Sequence, residues 1–260
     1  MLAKLLKYDF RSLGKKVLPL SLGLLLLALF TRGFYWVAGF SKILDIPKGF
    51  LTVAFVLGLI GVPLATFVLG ITRFYQNLIK DEGYLTNTLP VKKSSIIISK
   101  CIVANVYLLL TAVISIASFF IVFYNAELGK AMVEMWNQIS QAFTPGLLAL
   151  TIITSVVGFI MQYFMFTLAI ALGQMQNTKK GVYSFVYTIV LYTVSQIVSS
   201  VALFGYLLID SDLMTKLDQE IPPIGALYGL MWISLVISIV LCAVYYYGTV
   251  YIFQRKLNLE

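Results

Sequence analysis

An all-helical membrane protein with six transmembrane helices is the fold class this sequence predicts, on three observations. Of the 260 residues, 60% are hydrophobic and only 12% charged, against about 25% charged in a soluble domain. The apolar residues gather into six stretches, each long enough for a hydrocarbon core that takes roughly 20 helical residues to cross. The connections between them are short, which predicts one membrane domain and no large soluble one.

Residues 1–16 read as an amphipathic interfacial helix. At 100° per residue Leu2, Leu5, Leu6, Phe10, Leu13 and Val17 share one face, and Lys4, Lys7, Arg11 and Lys15 share the opposite one. Asp9 breaks the pattern by sitting on the apolar side, which predicts a cation supplied by another segment or by a partner chain. The segment is either an interfacial anchor or a lever joining a cytosolic partner to the first span. Residues 17–250 form the membrane domain, with spans at about 17–38, 51–72, 98–124, 144–172, 181–209 and 224–250. No small-x-small cleavage site follows the first apolar stretch, so an uncleaved helix is expected. Pro63 in the second span either breaks that helix or kinks it. Residues 251–260 are a short tail.

Basic residues set the orientation. With the N-terminus cytoplasmic, that side carries Lys4, Lys7, Arg11, Lys15, Lys16, Arg73, Lys80, Lys92, Lys93, Lys100, Lys179, Lys180, Arg255 and Lys256. The outer side carries only Arg32, Lys42, Lys48, Lys130 and Lys216. This asymmetry predicts a multi-pass protein of the cell membrane with both termini cytoplasmic. The net charge of +8 is thereby assigned to topology and to anionic lipid headgroups, not to nucleic acid.

Several chemistries are excluded. None of the eleven acidic residues falls well inside a span, so no proton relay is expected. The chain has no histidine, hence no Ser-His or Cys-His nucleophile pair. No Asp/Glu/His cluster has metal-ligand spacing. Gly14-Lys15 and Gly129-Lys130 lack the rest of a phosphate loop, so the chain is expected not to hydrolyse ATP and not to be an enzyme by itself. Cys101 and Cys242 read as packing residues. The intramembrane polar residues Asn105, Gln162, Gln196, Ser195, Ser199 and Ser200 line a cavity or glue helices together. Gly225-xxx-Gly229 and Ala169-xxx-Gly173 are small-residue pairs of the kind that allow close packing or dimerisation.

The connection between the second and third spans mixes anchors and charges: Phe74, Tyr75, Asp81, Glu82, Gly83, Tyr84, Leu85, Leu89 and Pro90. It can form a short helix that docks on a partner, or it packs under the membrane domain. Gly83 permits a turn and Pro90 stops the segment. On the outer side, residues 127–143 read as a second amphipathic helix, either a surface cap or a lid. The acidic 210–223 loop ends in Pro222-Pro223, which blocks helix continuation before the last span.

The opening Leu5-Leu6-Lys7-Tyr8-Asp9-Phe10-Arg11, Leu18-Pro19-Leu20, the run Asp81-Glu82-Gly83-Tyr84-Leu85-Thr86 through Thr88-Leu89-Pro90-Val91, and Ser99-Lys100 entering the third span resemble the ABC-2 type permeases of Gram-positive bacteria. The resemblance implies that Leu6, Asp9, Phe10 and Arg11 lie in a connecting helix. It also implies that the stretch around Glu82–Pro90 is a coupling helix inserted into a cleft on a separate ATPase subunit. Two six-span subunits, alike or different, would pair with two ATPase subunits that bind ATP and magnesium; the chain itself would hold no cofactor. The expected cargo is amphipathic or hydrophobic: peptides such as toxins or antimicrobial peptides, alternatively lipids or drugs. A non-transporting membrane scaffold or sensor and a sodium-driven carrier are the readings from other classes.

Overall fold

The computed structural model describes residues 2–37, 45–78, 92–142, 144–176, 178–209 and 224–255. Seven α-helices and no strand occur among the described residues: α1 (Leu2–Val37), α2 (Asp45–Leu78), α3 (Lys93–Phe123), α4 (Ala126–Ala142), α5 (Pro145–Gln174), α6 (Lys180–Ile209) and α7 (Ile224–Arg255). All but α4 are long and apolar enough to cross a membrane, the signature of a multi-pass membrane protein. The amphipathic segment expected over 127–143 is the helix α4.

The amphipathic segment 1–16 and the first span are one uninterrupted helix, α1, with Pro19 inside it. Proline removes one backbone donor, and the helix tolerates the loss. Likewise α2 runs unbroken through Pro63, which excludes a discontinuous helix there. The Ser21 hydroxyl donates to the Val17 carbonyl at 3.0 Å and the Thr66 hydroxyl to that of Val62 at 2.9 Å. Most other span hydroxyls, such as Thr151, Thr188 and Thr249, also bond the carbonyl one turn back. A hydroxyl facing hydrocarbon has no water to bond, so it turns to its own helix.

The chain divides into two compact units, Met1–Met132 and Val133–Glu260. In the first, α1, α2 and α3 all pack on one another. One apolar cluster joins Leu13, Val17, Val103 and Tyr107; a second joins Leu24, Ala28, Phe55 and Val122. Gly70 of α2 lies so close to α3 that a Cβ there would fall 2.9 Å from that of Ala104.

In the second unit, α5 packs on both α6 and α7. Thr144 caps α5, its hydroxyl accepting from the Leu147 N–H, with Pro145 pre-set for the first turn. The same hydroxyl meets the Tyr228 hydroxyl of α7 at 2.9 Å. Ser195 of α6 and Tyr245 of α7 share a hydrogen bond of 2.6 Å, so Ser195 serves as interhelical glue. Ser195 is the only residue of α6 that is buried. The large apolar side chains along the rest of α6, among them Phe185, Ile197 and Phe204, are exposed. Water would not tolerate so continuous an apolar surface; lipid does.

The two small-residue pairs part company. Gly173 faces the backbone of Ser184, where a Cβ would sit 2.6 Å from the amide nitrogen. Gly229 faces the Tyr206 hydroxyl, whereas Gly225 faces open space. Gly173→Ala is therefore expected to lower stability by about 1–3 kcal/mol through overpacking. Gly225→Ala, with no neighbour to strike, is expected to be neutral or stabilising by up to about 1 kcal/mol through helix propensity. Thermal melting of the two purified variants in one detergent separates them.

Candidate functional site

Asp9 is the buried carboxylate of the first unit. On α1 it precedes Leu13 and Val17 by one and two turns, so it occupies the face that packs on α3. The opposite face leaves Lys4, Lys7, Arg11 and Lys15 exposed. On α3, Lys100 stands one turn after Ile96 and precedes Val103 and Ala104 on the buried face. The two faces meet, and the odd residue of each finds the other: the Lys100 ammonium donates to Asp9 Oδ1 at 3.0 Å. The Ser99 hydroxyl donates to Asp9 Oδ2 at 2.8 Å. Both oxygens of the carboxylate are thus occupied. The ion pair is shut off from solvent, with 11% of the Asp9 side chain and 5% of the Lys100 side chain exposed.

Two turns further along α3, the Tyr107 hydroxyl donates to the Phe10 carbonyl at 2.9 Å, and the two rings pack with centroids 5.6 Å apart. Gly14 makes this possible, because a Cβ at that position would collide with the Tyr107 hydroxyl. Leu6 and Phe10 pack against the Leu13–Tyr107 cluster. The amphipathic start of α1 is therefore fastened to the start of α3 by an ion pair, two hydrogen bonds to uncharged hydroxyls and an aromatic contact.

Arg73, near the end of α2, completes the site. It lines a cavity with room for about one water molecule, together with Asp9, Leu13, Gly70, Lys100, Val103 and Ala104. Its Nε is buried without a hydrogen-bond partner. Three helices thus bring one carboxylate and two cations together. This arrangement is a charged joint. Among the described residues no three His, Cys, Asp or Glu side chains gather as a metal site.

The other sequence-selected positions are dispersed. Phe74 is fully buried and Tyr75 half-buried, so the first is held inside the unit instead of being offered at its surface. Asp81, Glu82, Gly83, Tyr84, Leu85, Leu89 and Pro90 lie outside the described residues, as do the 210–223 loop and the tail from Lys256. Asn105 is buried and donates to the Cys101 carbonyl of its own helix at 2.9 Å. Gln162 is half-buried and Gln196 exposed.

Sequence reasoning flagged Asp9 and named Ser99, Lys100 and Arg73 without pairing them with it, and it overlooked Tyr107. The signal was present for Lys100: a cation in register with Ile96, Val103 and Tyr107 on a packed helix face requires an anion. Comparison with protein-family models, with curated proteins and with solved structures returns no match for this chain. The class it defines is that of an all-helical, multi-pass membrane protein with a buried charged joint at one end of its first unit.

Asp9→Asn deprives the buried Lys100 of this counter-ion, and breaking such a pair costs about 3–5 kcal/mol. The double variant Asp9→Leu/Lys100→Met removes both charges and is expected to recover most of that loss. Thermal melting of the single and double variants in detergent measures the difference.

Proposed function

We propose that this chain is the permease subunit of an ATP-driven exporter, with a separate ATPase chain supplying the energy. Supporting that reading are six apolar helices, a sequence with no histidine and no phosphate loop, and an opening and a 73–91 connection that resemble ABC-2 type permeases.

The observation that carries it is the position of the charged joint. The segment 79–91 leaves α2 six residues after Arg73 and enters α3 only a few residues before Ser99 and Lys100. A protein gripping that segment pulls on α2 and α3 at once, and Asp9 passes the displacement to α1. Such a partner needs no contact inside the membrane to move three helices. A bistable helix bundle biased from outside is the physical form of this coupling.

In this reading both termini and the charged joint face the cytosol, the side of the lysine and arginine excess. Asp81, Glu82, Leu85 and Leu89 form the docking element on the ATPase, and Phe74 is its buried root. Two copies of the ATPase hold ATP and magnesium, and a second six-span subunit completes the path. The cargo is amphipathic or hydrophobic, with an exported peptide as the first choice. Asp9 sits at a helix end, and no charged residue lines the middle of the described spans.

Affinity purification from the native membrane tests this directly: the expected complex contains an ATPase with a phosphate loop. Glu82→Lys/Leu89→Asp is expected to lose that subunit while the membrane chain still folds. Asp9→Leu/Lys100→Met is expected to keep it bound yet lower cargo-stimulated ATP hydrolysis about tenfold or more, the signature of a broken linkage. Sodium-gradient transport by the purified chain alone would overturn the proposal.

A further inference from the structure

The opposite end of the first unit holds a second polar feature. A cavity of about 360 Å³ opens between α1 and the C-terminal end of α3, lined by Arg32, Tyr35, Trp36, Val122, Phe123 and Asn125. That volume falls within the range of small-molecule sites, about 300–1,000 Å³.

Its depth follows from helix geometry. Arg32 comes 23 residues after Asp9 and Val122 comes 22 after Lys100. At 1.5 Å per residue these spacings are about 34 and 33 Å, close to the roughly 30 Å thickness of a hydrocarbon core. With the charged joint at one membrane surface, the cavity lies at the other. Tyr35 and Trp36 stand there, at the level where such rings collect beside lipid headgroups.

The six lining residues include several donors and no carboxylate; Glu127 lines the adjoining cavity, which shares Phe123 and Asn125. The Arg32 guanidinium spends one N–H on the Val122 carbonyl at 3.2 Å, which caps α3 and pins the group at the cavity wall. Among the described residues, four of its five donors remain without a partner. The Lys48 ammonium sits over the Tyr35 ring, 4.7 Å from its centre, and its contact with Asp45 is long, at 3.9 Å. The Tyr35 hydroxyl lies 3.2 Å from that of Thr52, whose one proton goes to the Lys48 carbonyl at 2.8 Å. Asn125 turns its side-chain carbonyl to the Leu128 N–H, which leaves its two amide protons without a partner among the described residues. Capping alone needs one donor; this set exceeds the need.

Such donors select an oxyanion with several acceptor oxygens. We infer that the cavity binds the phosphate of a phospholipid headgroup, with Arg32 as the charged anchor. A lipid is favoured over a soluble phosphate compound by what lies on the membrane side. Leu29 and Phe30 of α1, and Ile116 and Phe119 of α3, are exposed about one turn toward the hydrocarbon from Arg32 and Val122, where acyl chains would run. The site requires only that the chain spans a membrane, so it would stand equally in a carrier or a scaffold.

Native mass spectrometry of the full chain in detergent, titrated with phosphatidylglycerol, tests it. A first lipid is expected to bind about tenfold or more weakly to Arg32→Gln, and less weakened in Arg32→Lys, which keeps the charge but loses the fork. Unchanged affinity in a folded Arg32→Gln variant overturns the assignment. Because that substitution also removes the α3 cap, a second measurement leaves Arg32 intact. With Trp136 and Trp232 replaced by Phe, Trp36 is the only tryptophan of the three. Its fluorescence is expected to be quenched by brominated phosphatidylglycerol and not by brominated diacylglycerol. Equal quenching by both lipids reduces the site to an apolar surface, and displacement by inorganic phosphate assigns it to soluble phosphates; either result overturns the lipid proposal.

Discussion

Hydrocarbon offers no hydrogen bonds, and that constraint arranges the rest of this molecule. Every span is helical because a helix satisfies its own backbone. Span hydroxyls turn back on the preceding turn, as Ser21 and Thr66 do, or meet one another, as Ser195 and Tyr245 do. The buried carboxylate of Asp9 survives only because Lys100 and Ser99 engage both of its oxygens.

Two charged features lie at the two ends of the first unit. At one end three helices share one carboxylate and two cations in a space that holds about one water molecule. At the other, Arg32 caps α3 beside a cavity large enough for a headgroup. Between them the packing runs through apolar residues such as Leu24, Ala28 and Phe55. Lipid does not drive apolar helices together as water does, so close packing and a few polar contacts carry the association. The ends are therefore the specific part of the unit, and the middle is the rigid rod that relates them.

Much of this was legible in the sequence, for a reason particular to membranes. A span must be long and apolar, and both properties are visible without neighbours; hence six segments were readable, each to within a turn or two except at the start of α1. That exception is instructive. The amphipathic pattern of residues 2–17 suggested a separate interfacial helix, whereas the chain continues as one helix through Pro19. Periodicity reports which face is apolar but not whether the axis bends. The anomaly of Asp9 was also legible, since one acid on an apolar face is a one-dimensional fact. The register of Lys100 with Ile96, Val103 and Tyr107 marked a cation on a packed face, but 91 residues separate it from Asp9, and nothing local joins the two.

The sequence alone therefore determined the solvent, the helical class, the spans and the need for a counter-charge at Asp9, because each depends on composition or on a repeat along a single helix. Only the tertiary structure decided which cation answers Asp9, that Arg73 stands beside the pair, that Phe74 is buried, and that Arg32 meets the end of α3 at a cavity. Those are choices of register between helices far apart in the chain. They are fixed by how side chains of different helices interlock, a property that no single helix carries.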